Sequence, residues 1–218
     1  MIVSELKEIH ALVGETSSLW NQVEELWYLI CTGLIPGADR AVIDAIYNMF
    51  QTGSMQRQLI TTIAPITLQF DPKELRARNP EHHARRRVLK RIGQLNARTN
   101  ALSGKRNATV HTIFEIFEAA VPPRIVAINP SKPSKLAGQD FQAYLTHLIQ
   151  DTTILVIDLA DLRDDFVEQN DPGHRDRFRQ LAQRAGFRIL SDERKILKEE
   201  LLEAVQKRNP LPPLTSAE

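Results

Sequence analysis

The run Arg106-Asn107-Ala108-Thr109-Val110-His111 gathers side chains that can cleave a phosphodiester without a metal. Histidine exchanges a proton near neutral pH. Arginine grips a phosphate through two parallel hydrogen bonds and stabilises charge that builds up on it. Asparagine directly after the arginine can orient either the imidazole or the phosphate. On an ideal helix, positions five apart diverge by ~140°. Arg106 and His111 would therefore not converge, whereas Asn107 and His111, four apart, would. Either the helix breaks between them or a second chain completes the site.

The basic stretch that carries these residues is set off from the rest of the chain. The 218 residues have a net charge of +1, but residues 73–111 alone hold 11 Lys/Arg against 2 Asp/Glu. Residues 1–72 and 112–171 are acidic, with balances of −5 and −6. Such a segment suits a phosphate backbone, and Arg85, Arg86, Lys90 and Arg91 are the candidate phosphate contacts. It equally suits neutralisation of the flanking acidic helices within one fold.

Several other constellations are weaker. His82-His83 are adjacent and so do not share a helix face; a solvated pair at a helix start is the expectation. Asp158, Asp161 and Asp165 lie on one helix face and can hold a cation, but an acidic face opposite the basic segment accounts for them more simply. No Gly-rich phosphate loop, Cys-x-x-Cys or His-Glu-x-x-His occurs, and no cofactor or metal is expected. The one cysteine, Cys31, lies among apolar residues and reads as a buried, inert thiol in a reducing compartment. No apolar run reaches the ~20 residues that span a bilayer. The first eight residues lack a basic signal-peptide start, so a cytoplasmic location is expected.

The elements that must position these residues are mostly helical. Leu19, Val23, Leu26, Trp27, Ile30 and Leu34 form one face of a helix that Thr16, Ser17 or Ser18 can cap and Pro36-Gly37 ends. Trp20, Tyr28 and Cys31 fall on its other side. A second helix starts near Asp39 with Val42, Ala45, Ile46, Met49 and Phe50 as its stripe. A third covers about Ser54 to Gln69, with Leu59, Ile63, Ile66 and Phe70 inward and a kink at Pro65. The fourth opens at Asn79-Pro80-Glu81 and carries Val88, Ile92, Leu95, Thr99 and Leu102 to Ser103-Gly104. Whether it passes Gly104 is open at this level, because one glycine costs only ~1 kcal/mol in a helix. Residues 112–117 and 124–128 are β-prone and suggest a hairpin. The longest stripe, Phe141, Leu145, Leu148, Thr152, Leu155, Val156, Leu159, Leu162 and Phe166, needs nearly thirty helical residues and ends at Asp171-Pro172-Gly173.

The Arg106–His111 motif, with Asn107 as the polar residue after the arginine, resembles the signature of the HEPN superfamily. That resemblance implies an all-α bundle of four to five helices with the motif near the end of a core helix. It covers roughly residues 16–111 and 139–168. In catalytic members it implies metal-independent RNA cleavage, with two chains dimerising so that two motifs share a cleft. Non-catalytic members bind RNA or protein. The expected organisation is a helical bundle over 1–170, with a small extended insertion at about 112–135, and a charged helical appendage with a frayed tail over 171–218. The resemblance implies an endoribonuclease of toxin or defence type, with Arg106, Asn107 and His111 catalytic. A homodimer and a protein partner such as an antitoxin are the implied associates. The alternative is a non-catalytic RNA- or protein-binding module. Arg78-Asn79-Pro80-Glu81-His82-His83 repeats the pattern, but Pro80 places it at a helix entrance, where the family motif does not belong.

Overall fold

The computed structural model describes residues 2–35, 37–70, 80–110, 113–117, 124–128 and 140–170. Five helices carry the described chain: α1 (Ile2–Leu34), α2 (Arg40–Met49), α3 (Gly53–Thr67), α4 (Pro80–Val110) and α5 (Phe141–Asn170). Between α4 and α5, β1 (Ile113–Phe117) and β2 (Arg124–Ile128) form an antiparallel pair in which Ile113 faces Ile128 and Phe117 faces Arg124. The protein is thus essentially all-α with one small hairpin. The readings over 171–218, and Asn79 as a cap, lie outside the described residues.

The three long helices share one repeat. In α1 the positions 9, 13, 16, 20, 23, 27, 30 and 34 alternate steps of four and three, and all but the half-buried Val13 are buried. In α5 the same alternation links Phe141, Leu145, Leu148, Thr152, Leu155, Leu159, Leu162 and Phe166, all buried. In α4 it links Ile92, Leu95, Thr99 and Leu102, then Arg106, then Thr109. A 3–4 alternation averages 3.5 residues, close to the helical period, so it keeps one seam facing its neighbours.

Two compact units divide the chain, and the long helices contribute to both. Among the described residues, the first unit holds those within 1–19 and 102–154, and the second those within 20–101 and 155–170. In the first unit Ile9, Phe141 and Leu145 form a buried cluster, flanked by Leu6, Leu12, Val13, Ala108 and Tyr144. Asp140 caps α5 by accepting from the Ala143 amide at 3.0 Å.

In the second unit, Trp20, Val23, Leu26, Trp27, Ile30, Cys31 and Leu34 are buried along with Ile43, Tyr47, Ile60, Ala64, Ile92, Leu95, Leu155, Leu159, Leu162 and Phe166. Trp27 Nε1 donates to Thr99 Oγ1 at 3.1 Å, and that hydroxyl donates to Leu95 O at 2.7 Å. One threonine so satisfies a buried indole and remains satisfied itself. A Cβ at Gly33 would stand 3.0 Å from Phe166 Cβ, so glycine sets the approach there. Arg57 of α3 is buried and donates from Nη2 to Asn100 Oδ1 at 2.7 Å. Burial pushes its pKa down, against the nearby Glu24 charge. The Tyr28 hydroxyl donates to Asp44, and Tyr28 meets Tyr47 edge-on at 5.3 Å.

The structure corrects three expectations and answers one open question. First, α1 begins at Ile2 rather than near Thr16. Thr16 and Ser17 are interior residues whose hydroxyls donate to Leu12 O and Val13 O one turn back, at 2.8 and 3.0 Å. Trp20 belongs to the buried seam and Leu19 is only half-buried. Second, α2 buries Ile43 and Tyr47, leaving Val42, Ile46 and Met49 exposed. Third, α3 buries Arg57, Ile60 and Ala64, while Ile66 is 74% exposed. Both short helices carry apolar residues on more than one side, so hydropathy alone did not select the inward face. Pro65 sits in the last turn of α3, which ends two residues later with Gln69 at φ 50° and Phe70 N–H bonded to Pro65 O. The question left open at Gly104 is answered by α4 itself, which passes through it without interruption to Val110.

Candidate functional site

Arg106 and Asn107 occupy the last turn of α4, immediately before the hairpin. Arg106 falls at a seam position, between the buried Leu102 and Thr109. A guanidinium cannot fill an apolar seam, yet its stem can lie along one. The result is a half-buried arginine whose Nε is shielded from solvent and has no hydrogen-bond partner among the described residues. Its Nη1 donates to Asn107 Oδ1 at 3.2 Å. Asn107 is exposed. His111 lies outside the described residues.

The turn that carries this pair is held by α5 at Lys105. Lys105 Nζ donates to Asp151 Oδ2 at 3.1 Å, with both side chains about half exposed. The Lys105 carbonyl accepts from Thr109 Oγ1 at 3.1 Å and from Tyr144 Oη at 3.3 Å. Burial raises the Tyr144 phenol pKa, and the Thr109 hydroxyl beside it acts in the opposite direction. Tyr144 and Asp151 are seven residues apart, on one face of α5.

The sequence-predicted RNA contacts belong to the second unit. Arg86 and Lys90 are exposed, with no ion pair among the described residues. Arg85 reaches Glu81 at 3.6 Å and donates to Gln69 O at 3.3 Å. Arg91 is engaged inside the fold: Nη1 meets Asp165 Oδ2 at 2.8 Å and Nη2 donates to Asp158 O at 3.2 Å. Arg98 binds Asp158 in the same way at 2.8 Å. Neutralisation of acidic helices, one of the two roles read for the basic segment, is therefore what Arg91, Arg98 and Lys105 perform.

No family model, no curated protein and no solved structure matches the chain.

The remaining sequence candidates resolve by packing. His82 and His83 are not a solvated pair. His82 is buried, with its ring stacked on Phe70 at 4.8 Å, while His83 is exposed. The stack gives an aromatic lid to the entrance of α4. Asp158 and Asp165 serve the ion pairs above, and no group of three or more ligating side chains lies together among the described residues. Cys31 is buried as expected, and burial pushes its thiol up to about 11. No helix of the described residues is long and apolar enough to cross a membrane. Sequence reasoning missed Tyr144, Asp151, Thr109 and Lys105. The signal was available: Arg91, Arg98 and Lys105 recur every seven residues, as do Asp151, Asp158 and Asp165.

Proposed function

We propose that the protein is a HEPN-like helical bundle and a metal-independent endoribonuclease of toxin or defence type, in which Arg106, Asn107 and His111 act on RNA. The observation that carries this reading is the position of Arg106. It interrupts the apolar seam of α4 in the final turn, and it keeps a shielded Nε–H that no described residue accepts. A buried donor without an acceptor costs ~1–3 kcal/mol. A phosphate oxygen that enters this shielded space on binding supplies the missing acceptor. In this reading Arg106 holds the scissile phosphate, and His111 moves the proton of the ribose 2′-hydroxyl and of the leaving oxygen. Asn107 orients one of them. Arg85, Arg86 and Lys90 contact phosphates without reading bases, and Arg91 adds to them only by leaving its aspartate. Two chains pair so that the motifs meet, and a protein partner such as an antitoxin masks them.

The test is incubation of the purified protein with total RNA in excess EDTA. Cleavage that leaves 2′,3′-cyclic phosphate ends and is lost in His111→Ala, with helical circular dichroism retained, is the expected result. Activity untouched by His111→Ala would sink the assignment of the motif.

A second reading is a non-catalytic RNA- or protein-binding module. The exposure of Val42, Ile46 and Met49 on α2 favours it, since apolar side chains grouped on one surface commonly mark a docking face.

A further inference from the structure

We propose that Tyr144 and Asp151 of α5 are positioning residues for the Arg106–Asn107 pair, acting through Lys105. The inference rests on the reading of that pair as the part of the site that grips RNA.

The last turn of α4 is poorly suited to hold itself. Its final four carbonyls have no intrahelical donors. Gly104 lies at its base, where a Cβ would meet nothing within 4 Å, so no side-chain packing stiffens that side. Extended chain begins at Ile113, only three residues after the helix ends. A turn in this setting frays unless something clamps it.

Lys105 is the residue at which the clamp acts, and it is held at both ends. Its ammonium meets Asp151 at 3.1 Å. Its carbonyl takes the Tyr144 hydroxyl at 3.3 Å and the Thr109 hydroxyl at 3.1 Å, besides its place in the helical ladder. Two α5 residues two turns apart thereby fix both the position and the rotation of residue 105. Rotation is the quantity that matters for its neighbour. A twist of this turn would carry Arg106 off the seam, and its Nε–H would reach water. Ala108, packed with Tyr144 at the Ile9–Phe141–Leu145 cluster, backs the same turn.

The test reads Arg106 directly by nuclear magnetic resonance on the full chain. The Nε–H signal is assigned by its loss in Arg106→Lys. In the native protein it should exchange slowly with water. Tyr144→Phe removes one hydroxyl, and Asp151→Asn removes one charge. Tyr144→Phe should speed that exchange roughly fivefold, the effect of losing one hydrogen bond, and Asp151→Asn by less, since its pair is about half exposed and the amide still accepts, with amides around Ile92 unchanged. Thr109→Ser should keep slow exchange where Thr109→Val loses it. In the RNA assay the same variants should lower kcat with KM within about twofold. Unchanged Nε–H exchange in both α5 variants would overturn the proposal, and so would faster exchange with kcat intact. If the native chain neither cleaves nor binds RNA, the functional reading falls on that result, while the exchange arm still decides whether α5 positions Arg106.

Discussion

Arg98 donates from Nη1 to Asp158 Oδ2 across 2.8 Å, and one heptad away on both helices Arg91 meets Asp165 at the same distance. Lys105 and Asp151 continue the spacing at 3.1 Å within the first unit. From Arg91–Asp165 to Arg98–Asp158, both within the second unit, the α4 residue advances by seven while the α5 residue retreats by seven, the signature of antiparallel helices. Charged side chains flanking a 3–4 seam set partner and register in this way.

The ladder predicts a charge-swap result. Arg98→Glu and Asp158→Arg should each destabilise the protein, by about 1 kcal/mol or less for a pair about one-third exposed. The double variant should recover most of the loss. Urea unfolding of the four proteins measures the coupling directly. Additive losses would show that the pair contributes nothing through its contact.

Gly104 has open space where a side chain would begin and sits inside a continuous helix. Gly104→Ala should therefore stabilise the protein by about 0.5–1 kcal/mol, because alanine loses less backbone freedom on folding. A rise in thermal midpoint checks it. A fall would mean that another part of the folded protein approaches this face.

Cys31 carries a sign that can be worked out. Its thiol stands at about 11 in the fold against an ordinary 9.0, because burial disfavours the thiolate. The unfolded chain therefore loses its proton first. The stability tied to this thiol is complete below pH ~9 and falls as pH rises toward ~11. Native protein should resist iodoacetamide at pH 8 and react fully in denaturant. Cys31→Ala should lack this component of the alkaline fall, as seen by unfolding at a series of pH values.

The two kinds of basic residue on α4 should separate by experiment. On the proposed reading that the protein binds RNA, Arg86→Glu with Lys90→Glu should weaken that binding regardless of sequence and flatten its salt dependence, leaving the thermal midpoint close to native. Arg91→Ala should do the reverse, lowering stability through its lost pair with Asp165 while salt-dependent binding persists. Binding measured between 50 and ~200 mM salt, beside thermal scans, distinguishes them. Binding indifferent to salt would remove Arg86 and Lys90 from the RNA account.

The sequence by itself determined the helical class, the span of α5, the start of α2 near Asp39, the entry of α4 at Pro80, the hairpin after it and the burial of Cys31. Each rests on local chemistry: a 3–4 spacing of apolar groups, a ring that presets φ, β-branched runs broken by prolines. Tertiary structure alone decided the rest. It chose Ile43 and Tyr47 over Val42 and Ile46 as the inner side of α2, because a short helix with apolar residues all round has no preferred face until a neighbour supplies one. It drew α1 back to Ile2, where Ile9 finds Phe141 and Leu145 of the distant α5. It divided a basic run of uniform appearance into side chains paired with aspartates and side chains left at the surface. It also set Arg106 in a seam, with Lys105 beside it held from α5. Side chains some forty residues apart in the chain meet there, and no property of either segment alone encodes the 3.1 Å between Lys105 and Asp151.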